Sequence, residues 1–250
     1  MLLSDWPYGT TANKWDVLLP LDKVWPEIRR TVKPDGAILL FAQCPYDKIL
    51  GCSNLDMLRY EWVWIKSQGT NFLDAKRKPL KATENILCFY QKLPIYRPIL
   101  LSGNKYIRNR HINIAYHNNI GKNYKQTDID NNGYRYPVNY LFFKSVCHFD
   151  MLHPTQKPVD LCAYLIKTYT NPGDLVLDNC AGSGTTAVAA IRTGRDFVAF
   201  EKDKDIFETA KARIEKELEA SRNSLFPLEL PARDAGRDDA GQPARTARLF

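Results

Sequence analysis

Four residues near the start of the sequence, Asp5-Trp6-Pro7-Tyr8, have side chains suited to holding an amino group. The Asp5 carboxylate can accept a hydrogen bond from an exocyclic amine, and a backbone carbonyl held rigid by proline can accept a second. Two such acceptors would orient the nitrogen lone pair toward an electrophile, while the Tyr8 ring could stack on a base. Taken alone, the same residues are also compatible with an ordinary turn.

A second candidate site is the run LVLDNCAGSGTTA, which has the pattern of a strand, a glycine turn and a helix start. Gly182 and Gly184 permit close approach of a ligand, and the helix N-terminus offers free N–H groups to an anion or carboxylate. Glu201 follows about twenty residues later, at the end of the next predicted strand, where a carboxylate can bind ribose hydroxyls. The combination indicates a cofactor that contains adenosine.

Two other interpretations of the glycine turn stay open. It could belong to an unrelated α/β crossover, or it could bind NAD. A dinucleotide fold needs a second βαβ half after the first, and only about fifty residues follow this turn. A sheet whose first strand comes late in the sequence fits the pattern better.

Positive charge is concentrated between residues 91 and 150. This window holds nine basic and three acidic residues, a net charge of +6 out of +7 for the whole chain, and seven of the thirteen tyrosines. Arginine and lysine neutralise phosphates, asparagine reads base edges, and tyrosine stacks on bases or bonds to the backbone. The segment is therefore either a nucleic-acid-facing region or a polar insertion with half-buried tyrosines.

The elements that must position these residues alternate between helix and strand. The continuous apolar run at 37–41 predicts a buried parallel strand, and further strands are expected at 60–65, 85–90, 175–178 and 197–200. Helices are predicted at 21–33, 159–170, 185–193 and 206–220, with an exposed basic loop at 66–81. This order predicts an α/β sheet with helices on both faces. Residues 221–250 lack apolar rhythm and are predicted to be disordered.

Composition excludes several classes of protein. With 250 residues and 44% hydrophobic content, the chain can bury a substantial core. It contains no apolar run long enough for a transmembrane helix and no visible signal peptide. Its six cysteines show neither CxxC pairs nor zinc-finger spacing, so we expect a reduced cytoplasmic protein without a structural metal.

Together, these motifs resemble the β-class of amino-group DNA methyltransferases, in which the catalytic motif precedes the cofactor motif. The family's Asp-Pro-Pro-Tyr signature is matched by residues 5–8, and its Asp-Pro-Phe-Ala-Gly-Ser-Gly-Thr-Thr loop by residues 178–186. His153-Pro154-Thr155-Gln156-Lys157-Pro158-Val159 resembles the family's other cofactor motif. The resemblance implies a Rossmann-like sheet, S-adenosylmethionine as methyl donor, double-stranded DNA as substrate, and transfer to adenine N6 rather than cytosine N4.

The resemblance also implies a role for each matched residue. Asp5 would accept from the target amine, Trp6 would supply the backbone carbonyl, Pro7 would stiffen the loop, and Tyr8 would stack on the flipped base. The implied cofactor-binding residues are Thr155, Gln156, Lys157, Asp178, Ala181, Gly182, Ser183, Gly184, Thr185 and Glu201. From the charge pattern, the candidate DNA-binding residues are Lys76, Arg77, Lys78, Lys105, Arg108, Arg110, Lys122 and Lys125. The three in the basic loop could equally be a solvated charge run.

The sequence departs from the family pattern in three places. Trp6 replaces the first proline, which introduces a large ring beside a tight site, and Cys180 replaces the usual phenylalanine. Family members also carry a strand before the catalytic motif, with an acidic residue that helps hold the cofactor's adenine. Since only four residues precede Asp5, we expect the sheet to lack this N-terminal edge strand, leaving an open edge beside the strand that ends at Glu201.

The expected organisation is a catalytic half at 1–93, a target-recognition insertion at 94–150, a cofactor-binding half at 151–220 and the tail at 221–250. Three functional alternatives stay open: a cytosine N4 methyltransferase, a truncated DNA-binding remnant without catalysis, and an RNA methyltransferase. A cognate restriction endonuclease is a candidate partner, and the oligomeric state is left open.

Overall fold

The computed structural model describes residues 1–10, 13, 16–103, 107–108, 129–130, 133–146, 156–223 and 247–249. Its strands are β1 (Leu2–Ser4), β2 (Ile38–Ala42), β3 (Leu58–Thr70), β4 (Lys81–Phe89), β5 (Leu101–Ser102), β6 (Ile107–Arg108), β7 (Ile129–Asp130), β8 (Tyr134–Arg135), β9 (Tyr140–Phe143), β10 (Leu175–Asp178), β11 (Asp196–Ala199) and β12 (Ala247–Leu249). The helices are α1 (Leu21–Thr31), α2 (Tyr46–Cys52), α3 (Val159–Tyr169), α4 (Thr185–Arg192) and α5 (Lys204–Asn223), with a 3-10 turn at Phe72–Asp74.

Eight strands form one sheet in the order β12-β11-β10-β1-β2-β4-β3-β9. The first five run parallel to their neighbours, and β4 is antiparallel to both β2 and β3. β1 lies between β10 and β2, where Leu2 pairs with Leu177 on one side and Ile38 on the other. Because ligands of such sheets bind outside the carboxyl ends of the parallel strands, this register brings the residues after β1 and β10 to one edge.

The core lies on both faces of the sheet. Along β1, Leu2 and Leu3 point to opposite faces because side chains alternate along a strand. Leu3 joins the apolar cluster that includes α3 and α4, whereas Leu2 joins the cluster that includes α1 and α2. This confirms the predicted α/β sheet with helices on both faces.

The region between β4 and β9 forms a separate compact unit, Pro98–Val138, close to the predicted insertion at 94–150. Within it, β5 pairs with β8 and β6 pairs with β7, both antiparallel. The exposed loop predicted at 66–81 begins later than expected. β3 continues to Thr70, which pairs with Lys81, because the two strands support each other past the predicted boundary.

The C-terminal part also differs from its prediction as a disordered tail. Helix α5 continues to Asn223, and β12 pairs in parallel with β11, from Phe197 with Ala247 to Ala199 with Leu249. The edge beside the strand that precedes Glu201 is therefore paired rather than open. Residues 224–246 lie outside the described residues.

None of the helices in the described ranges carries an apolar stretch long enough to span a lipid bilayer. Within the same ranges, no group of three or more histidine, cysteine, aspartate or glutamate side chains is arranged to hold a metal ion.

Candidate active site

The two sequence motifs meet at the carboxyl edge of the sheet. β1 ends at Ser4 and leads into Asp5, and the neighbouring β10 ends at Asp178 and leads into the glycine loop. The Ser4 hydroxyl donates a hydrogen bond to Asp178 Oδ1 at 2.8 Å, and the Cys180 N–H donates to the same oxygen at 3.1 Å. Asp178 is buried, and through these two hydrogen bonds its carboxylate connects the end of β1 to the glycine loop.

The side chain of Trp6 does not enter the site. Its ring is 1% exposed and lies against Trp25, with a centroid separation of 6.0 Å. Its indole N–H donates to Asn179 Oδ1 at 2.8 Å, which satisfies the polar atom of an otherwise apolar ring. The large ring expected beside the site is instead part of the core, where it also joins the two loops.

Asp5 is the exposed member of a buried group of charges. Lys157 Nζ lies 2.6 Å from Asp5 Oδ2, and the Tyr8 hydroxyl lies 2.6 Å from Asp5 Oδ1. The Asp5 side chain is 25% exposed, whereas that of Lys157 is only 9% exposed. A carboxylate offers about four lone-pair positions, so these two partners leave Asp5 able to accept a further hydrogen bond.

Glu84 lies at the centre of this group and was not predicted from the sequence. Its side chain is 2% exposed, with Lys157 Nζ at 2.9 Å and Lys66 Nζ at 2.8 Å. The Gln43 side-chain amide donates to Glu84 at 3.0 Å, and the Tyr8 hydroxyl lies within 2.9 Å. We call Asp5, Tyr8, Lys66, Glu84 and Lys157 the Asp5 cluster.

The charges of the Asp5 cluster compensate each other. Burial opposes ionisation of Glu84, but Lys157 and Lys66 outweigh it and lower the pKa of the Glu84 carboxyl. Burial likewise opposes the charged form of Lys157, but Asp5 and Glu84 raise the pKa of its ammonium. At neutral pH the cluster therefore holds a Lys157 cation beside a Glu84 anion.

The pKa values of Asp5 and Tyr8 respond mainly to burial. Burial raises the pKa of Asp5, Lys157 counteracts this effect, and Glu84 adds to it. Burial and both carboxylates raise the pKa of Tyr8 well above its usual value, so the phenol stays protonated. A phenol has one hydrogen, so Tyr8 donates to Asp5 or to Glu84 but not to both at once. Its ring stacks on Tyr46 at a centroid separation of 5.3 Å.

The glycine loop leaves open space in front of its backbone. Gly182 and Gly184 have φ values of +51° and +75°, a region that favours glycine. A Cβ added at Gly182 would meet nothing within 4 Å, whereas one at Gly184 would lie 3.0 Å from Ile214 of α5. Gly184 therefore allows the loop to pack on α5, and Gly182 keeps space that a ligand can fill.

Glu201 lies against this open space. Its carboxylate accepts the Gly182 N–H at 2.8 Å through one oxygen and the Asp203 N–H at 2.9 Å through the other. Glu201 is half-buried, so its remaining lone pairs are accessible. The open backbone at Gly182 and this acid suit a polar ligand with hydroxyl groups.

Arg213 of α5 is a second residue that sequence reasoning missed. Its guanidinium donates to the Ser183 carbonyl at 2.9 Å, to Ser183 Oγ at 3.2 Å and to Thr185 Oγ1 at 3.1 Å. Ser183 and Thr185 are buried, and their hydroxyls hold the loop to Arg213. The buried Ala181 donates its N–H to the Phe200 carbonyl at 2.8 Å.

The other predicted residues fall into four groups. Lys157, expected at the cofactor, lies with its ammonium against Asp5, and Gln156 beside it is half-buried. Lys76, Arg77 and Lys78 are exposed on the turn between β3 and β4. The backbone of Arg108 is in β6. The predicted residues outside the described ranges are Lys105, Arg110, Lys122, Lys125 and Thr155.

A weak sequence signal for Glu84 exists. Glu84 is a single acid in β4 next to the apolar run Ile86 to Phe89. An acid is rarely buried in such a place unless it is paired, so its position indicates a partner of opposite charge. The lysine that would pair with it could not be chosen from the sequence, because Lys66 and Lys157 come from distant segments.

A family model described as DNA methylase, for N6 and N4 methyltransferases, matches residues 3–212. The chain is 28% identical over 231 residues to the DNA adenine methyltransferase YhdJ of Escherichia coli, covering 86% of this chain and 76% of that protein. It is 44% identical over 69 residues to the type II methyltransferase M2.DpnII of Streptococcus pneumoniae. That second match covers 28% of this chain and 26% of the relative.

Two solved structures share the fold. The complex of M1.HpyAVI with SAM superposes with a TM-score of 0.56 and 24% identity, covering 85% of this chain and 87% of that one. The cytosine-N4-specific PvuII DNA methyltransferase gives a TM-score of 0.57 at 16% identity, covering 87% and 83%. At these identities the likeness concerns the fold, and it confirms the predicted methyltransferase-like sheet.

Proposed function

The chain belongs to the DNA methylase family of N6 and N4 methyltransferases, and on this premise we propose that it methylates adenine N6 in double-stranded DNA. The methyl donor in this proposal is S-adenosylmethionine. The observation that carries the proposal is the position of Asp5, a partly exposed carboxylate at the sheet edge that also carries the glycine loop.

The residues at the glycine loop fit the donor. The space in front of Gly182 would take its amino-acid end, and Glu201 would accept hydrogen bonds from its ribose hydroxyls. Asp178 and Arg213 would act indirectly, because their hydrogen bonds fix the conformation of the loop. When bound, S-adenosylmethionine supplies an electrophilic methyl group on a sulfonium.

Asp5 and the backbone beside it would position the acceptor. The Asp5 carboxylate accepts a hydrogen bond from the exocyclic amine, and the Trp6 carbonyl accepts the second N–H. With both hydrogens held, the nitrogen lone pair faces the methyl group, and most of the rate arises from this placement. Transfer would move the methyl group from sulfur to nitrogen as the carbon–sulfur bond breaks, and the N–H proton that the amine loses would pass to the adjacent Asp5 carboxylate.

Lys157 and Glu84 would hold Asp5 ready for this role. The short contact between Lys157 and Asp5 favours the ionised carboxylate, which accepts hydrogen bonds but does not donate them. Glu84 in turn fixes Lys157 and accepts from Tyr8, so the geometry around Asp5 is set before substrate binds. Tyr8 would contact the flipped base through the part of its ring that Tyr46 leaves free.

The proposal extends to the partners. Lys76, Arg77 and Lys78 would contact DNA phosphates, and the unit that contains β5 to β8 would read the target sequence. Likeness to a type II methyltransferase supports a restriction endonuclease of the same specificity as a partner in the cell. A cytoplasmic location is supported by the free thiols of Cys44, Cys52, Cys88, Cys162 and Cys180.

The experiment uses the full chain, unmethylated DNA and S-adenosylmethionine labelled in its methyl group. The DNA is digested to nucleosides, and the labelled nucleoside is identified by mass; sequencing of the methylated DNA then gives the target site. An RNA of matched sequence and an Asp5→Ala variant serve as controls. N6-methyladenine in DNA alone, lost in the variant, is the expected result.

Each other outcome identifies a different error. If N4-methylcytosine is found, the proposed site stands and the acceptor base is cytosine. If the label is found in RNA, the substrate is RNA and not DNA. A chain that binds DNA and S-adenosylmethionine but transfers no methyl group would overturn the proposed activity. If the Asp5→Ala variant still labels DNA, Asp5 is not required for the reaction.

A further inference from the structure

The turn between β3 and β4 exposes two large apolar side chains at the catalytic edge of the sheet. Phe72 is 79% exposed and Leu73 is fully exposed, although side chains of this size are usually withdrawn from water. We call residues 71–80 the hairpin tip. An exposed apolar pair framed by polar residues is a mark of an interaction surface.

The hairpin tip is ordered by its own hydrogen bonds. Asp74 N–H donates to the Asn71 carbonyl at 3.0 Å, and the Arg77 N–H donates to the Asp74 carbonyl at 2.8 Å. The Lys78 ammonium also pairs with the Asp74 carboxylate at 2.8 Å. The apolar pair is therefore presented by a shaped turn, and inserting it elsewhere needs little further ordering.

The hairpin tip lies beyond the Asp5 cluster along the same two strands. Lys66 of β3 and Glu84 of β4 are 2.8 Å apart within that cluster, and both strands continue beyond it to the pair Thr70 and Lys81. Three residues of strand separate Glu84 from Lys81, which places the base of the tip about 10 Å from the cluster. Lys81 Nζ also donates to the Cys44 carbonyl at 3.2 Å, just beyond the carboxyl end of β2.

Charge on the tip indicates which partner it meets. Lys76 and Arg77 are exposed, and within the described part of the chain neither forms an ion pair. Two free cations next to an apolar pair suit the edge of a DNA duplex, where phosphates flank a stack of apolar base faces. A purely apolar partner would leave these two cations without a counter-charge.

We propose that Phe72 and Leu73 enter the base stack at the place that the target base leaves, while Lys76 and Arg77 bind the flanking phosphates. This inference rests on the proposed function, since a target base must leave the duplex to reach Asp5. Extruding a base costs stacking energy, and an apolar wedge that refills the gap offsets part of that cost. The wedge would therefore act on base flipping and not on the methyl-transfer step.

The test uses two duplexes that carry the chain's recognition sequence, which is selected by binding from a pool of random duplexes and therefore does not depend on methyl transfer. In one the target adenine is paired, and in the other an abasic site faces it, so that no base pair must be broken when the adenine leaves the stack. The variant is the double substitution Phe72→Ala with Leu73→Ala. The matched control is Leu93→Ala, because Leu93 is 78% exposed but follows the opposite end of β4.

We expect the double variant to methylate the paired duplex at least about tenfold more slowly and the abasic duplex at close to the wild-type rate. Leu93→Ala should match the wild type on both. With 2-aminopurine at the target position, the wild type should raise fluorescence on binding and the double variant should raise it much less. An unchanged rate on the paired duplex, or an equal loss on both duplexes, would overturn the wedge.

Two readouts separate this inference from the proposed function. Fluorescence and DNA affinity require no methyl transfer, so a wild-type chain that raises the fluorescence without transferring methyl groups would overturn the activity and leave the wedge standing. A chain that methylates the paired duplex equally well with and without Phe72 and Leu73 would overturn only the wedge. Failure to bind either duplex would overturn both.

Discussion

The Asp5 cluster and the glycine loop lie side by side at one edge of the sheet, but they are built from different materials. The cluster consists of four charged side chains and the Tyr8 phenol, which come from four separate segments and contact one another at 2.6–2.9 Å. The loop consists of backbone in a conformation that glycine favours, with open space in front of Gly182. One region is held together by contacts among its own side chains, and the other has unfilled space in front of its backbone.

Because of this difference, substitutions in the two regions should change different measured quantities. In the cluster, removing one charge leaves its partners buried and unpaired, which costs stability as well as activity. In the loop, adding a single methyl group changes either packing or the space for the ligand, depending on which glycine receives it. Five substitutions test this separation, beginning with the one of largest expected effect.

Asp5→Asn should reduce methyl transfer by about a thousandfold and leave the affinity for S-adenosylmethionine unchanged. The amide keeps the shape of the carboxylate but removes the charge that pairs with Lys157 and that we propose receives the amine. Transfer is measured by label in DNA, and affinity by calorimetry; Asp22→Asn on the exposed surface of α1 is the control. A parallel loss of cofactor affinity would mean that the two regions do not act separately.

Glu84→Gln should lower the free energy of unfolding by about 3 kcal/mol, because Lys66 and Lys157 lose the buried anion that they share. The matched control is Glu217→Gln, which removes an ion pair with the half-exposed Arg192 and should cost less than about 1 kcal/mol. Urea unfolding measures both. Similar losses for the two variants would contradict a special role for the buried cluster.

The pH dependence of the Glu84→Gln effect has a definite sign. The pKa of Glu84 is lower in the folded chain than in the unfolded one, so its contribution is fully present above the unfolded value. It is lost as the pH falls toward the folded value. The difference between wild type and variant should therefore be largest at neutral pH and shrink in acid, and a constant difference would show that ionisation is not its cause.

Substitutions of two loop glycines should have different consequences. Gly184→Ala adds strain at positive φ and a Cβ 3.0 Å from Ile214, so we expect a loss of about 2–4 kcal/mol of stability. Gly182→Ala adds strain alone, about 1–2 kcal/mol, but its methyl group occupies the space proposed for the cofactor.

Gly173→Ala is the control for these glycines, because it has a φ of +82° and nothing within 4 Å of the added Cβ. It should destabilise the chain as much as Gly182→Ala without weakening cofactor binding. Thermal unfolding gives the stability, and calorimetry gives the affinity. If Gly182→Ala and Gly173→Ala affect cofactor binding equally, the space in front of Gly182 is not the cofactor site.

The same contrast explains what the sequence could predict. The glycine loop is contiguous, and its strand, turn and helix signals lie next to each other, so its form and the parallel sheet were predictable from local pattern. The Asp5 cluster depends on long-range pairing: Glu84 and Lys66 meet only because β3 and β4 are antiparallel neighbours, and Lys157 lies 152 residues from Asp5. The motif therefore singles out Lys157, but its contact with Asp5 could not be predicted from the sequence.

The direction of the Trp6 ring and the presence of β12 could not be predicted for a related reason. A tryptophan in a motif does not indicate which way its ring points. The Trp6 ring lies in the core because it packs against Trp25 and donates a hydrogen bond to Asn179. The three residues of β12 have no pattern that distinguishes them from the polar segment before them. Only the unpaired side of β11 gives them a place in the sheet.

The smallest expected effect concerns Asp178, which joins the two regions and responds to pH in the sense opposite to Glu84. Burial raises the pKa of Asp178 to about 6, despite hydrogen bonds from Thr186, Ser4 and Cys180 that oppose the shift. A raised pKa means that the folded chain binds the proton more tightly than the unfolded chain does. The ionised group therefore costs stability as the pH rises from about 4 to 6, and that cost persists at neutral pH.

Asp178→Asn should remove this cost and make the chain more stable than the wild type at pH 8, with no gain below pH 4. The pKa shift sets an upper bound of about 3 kcal/mol, and we expect about 1 kcal/mol because an amide accepts weaker hydrogen bonds from Ser4 and Cys180 than a carboxylate does. Urea unfolding of both chains from pH 4 to 8 measures the difference. A loss of stability at pH 8 would mean that the charge of Asp178 is needed to hold the Asp5 segment against the glycine loop, and the two regions would then depend on one another after all.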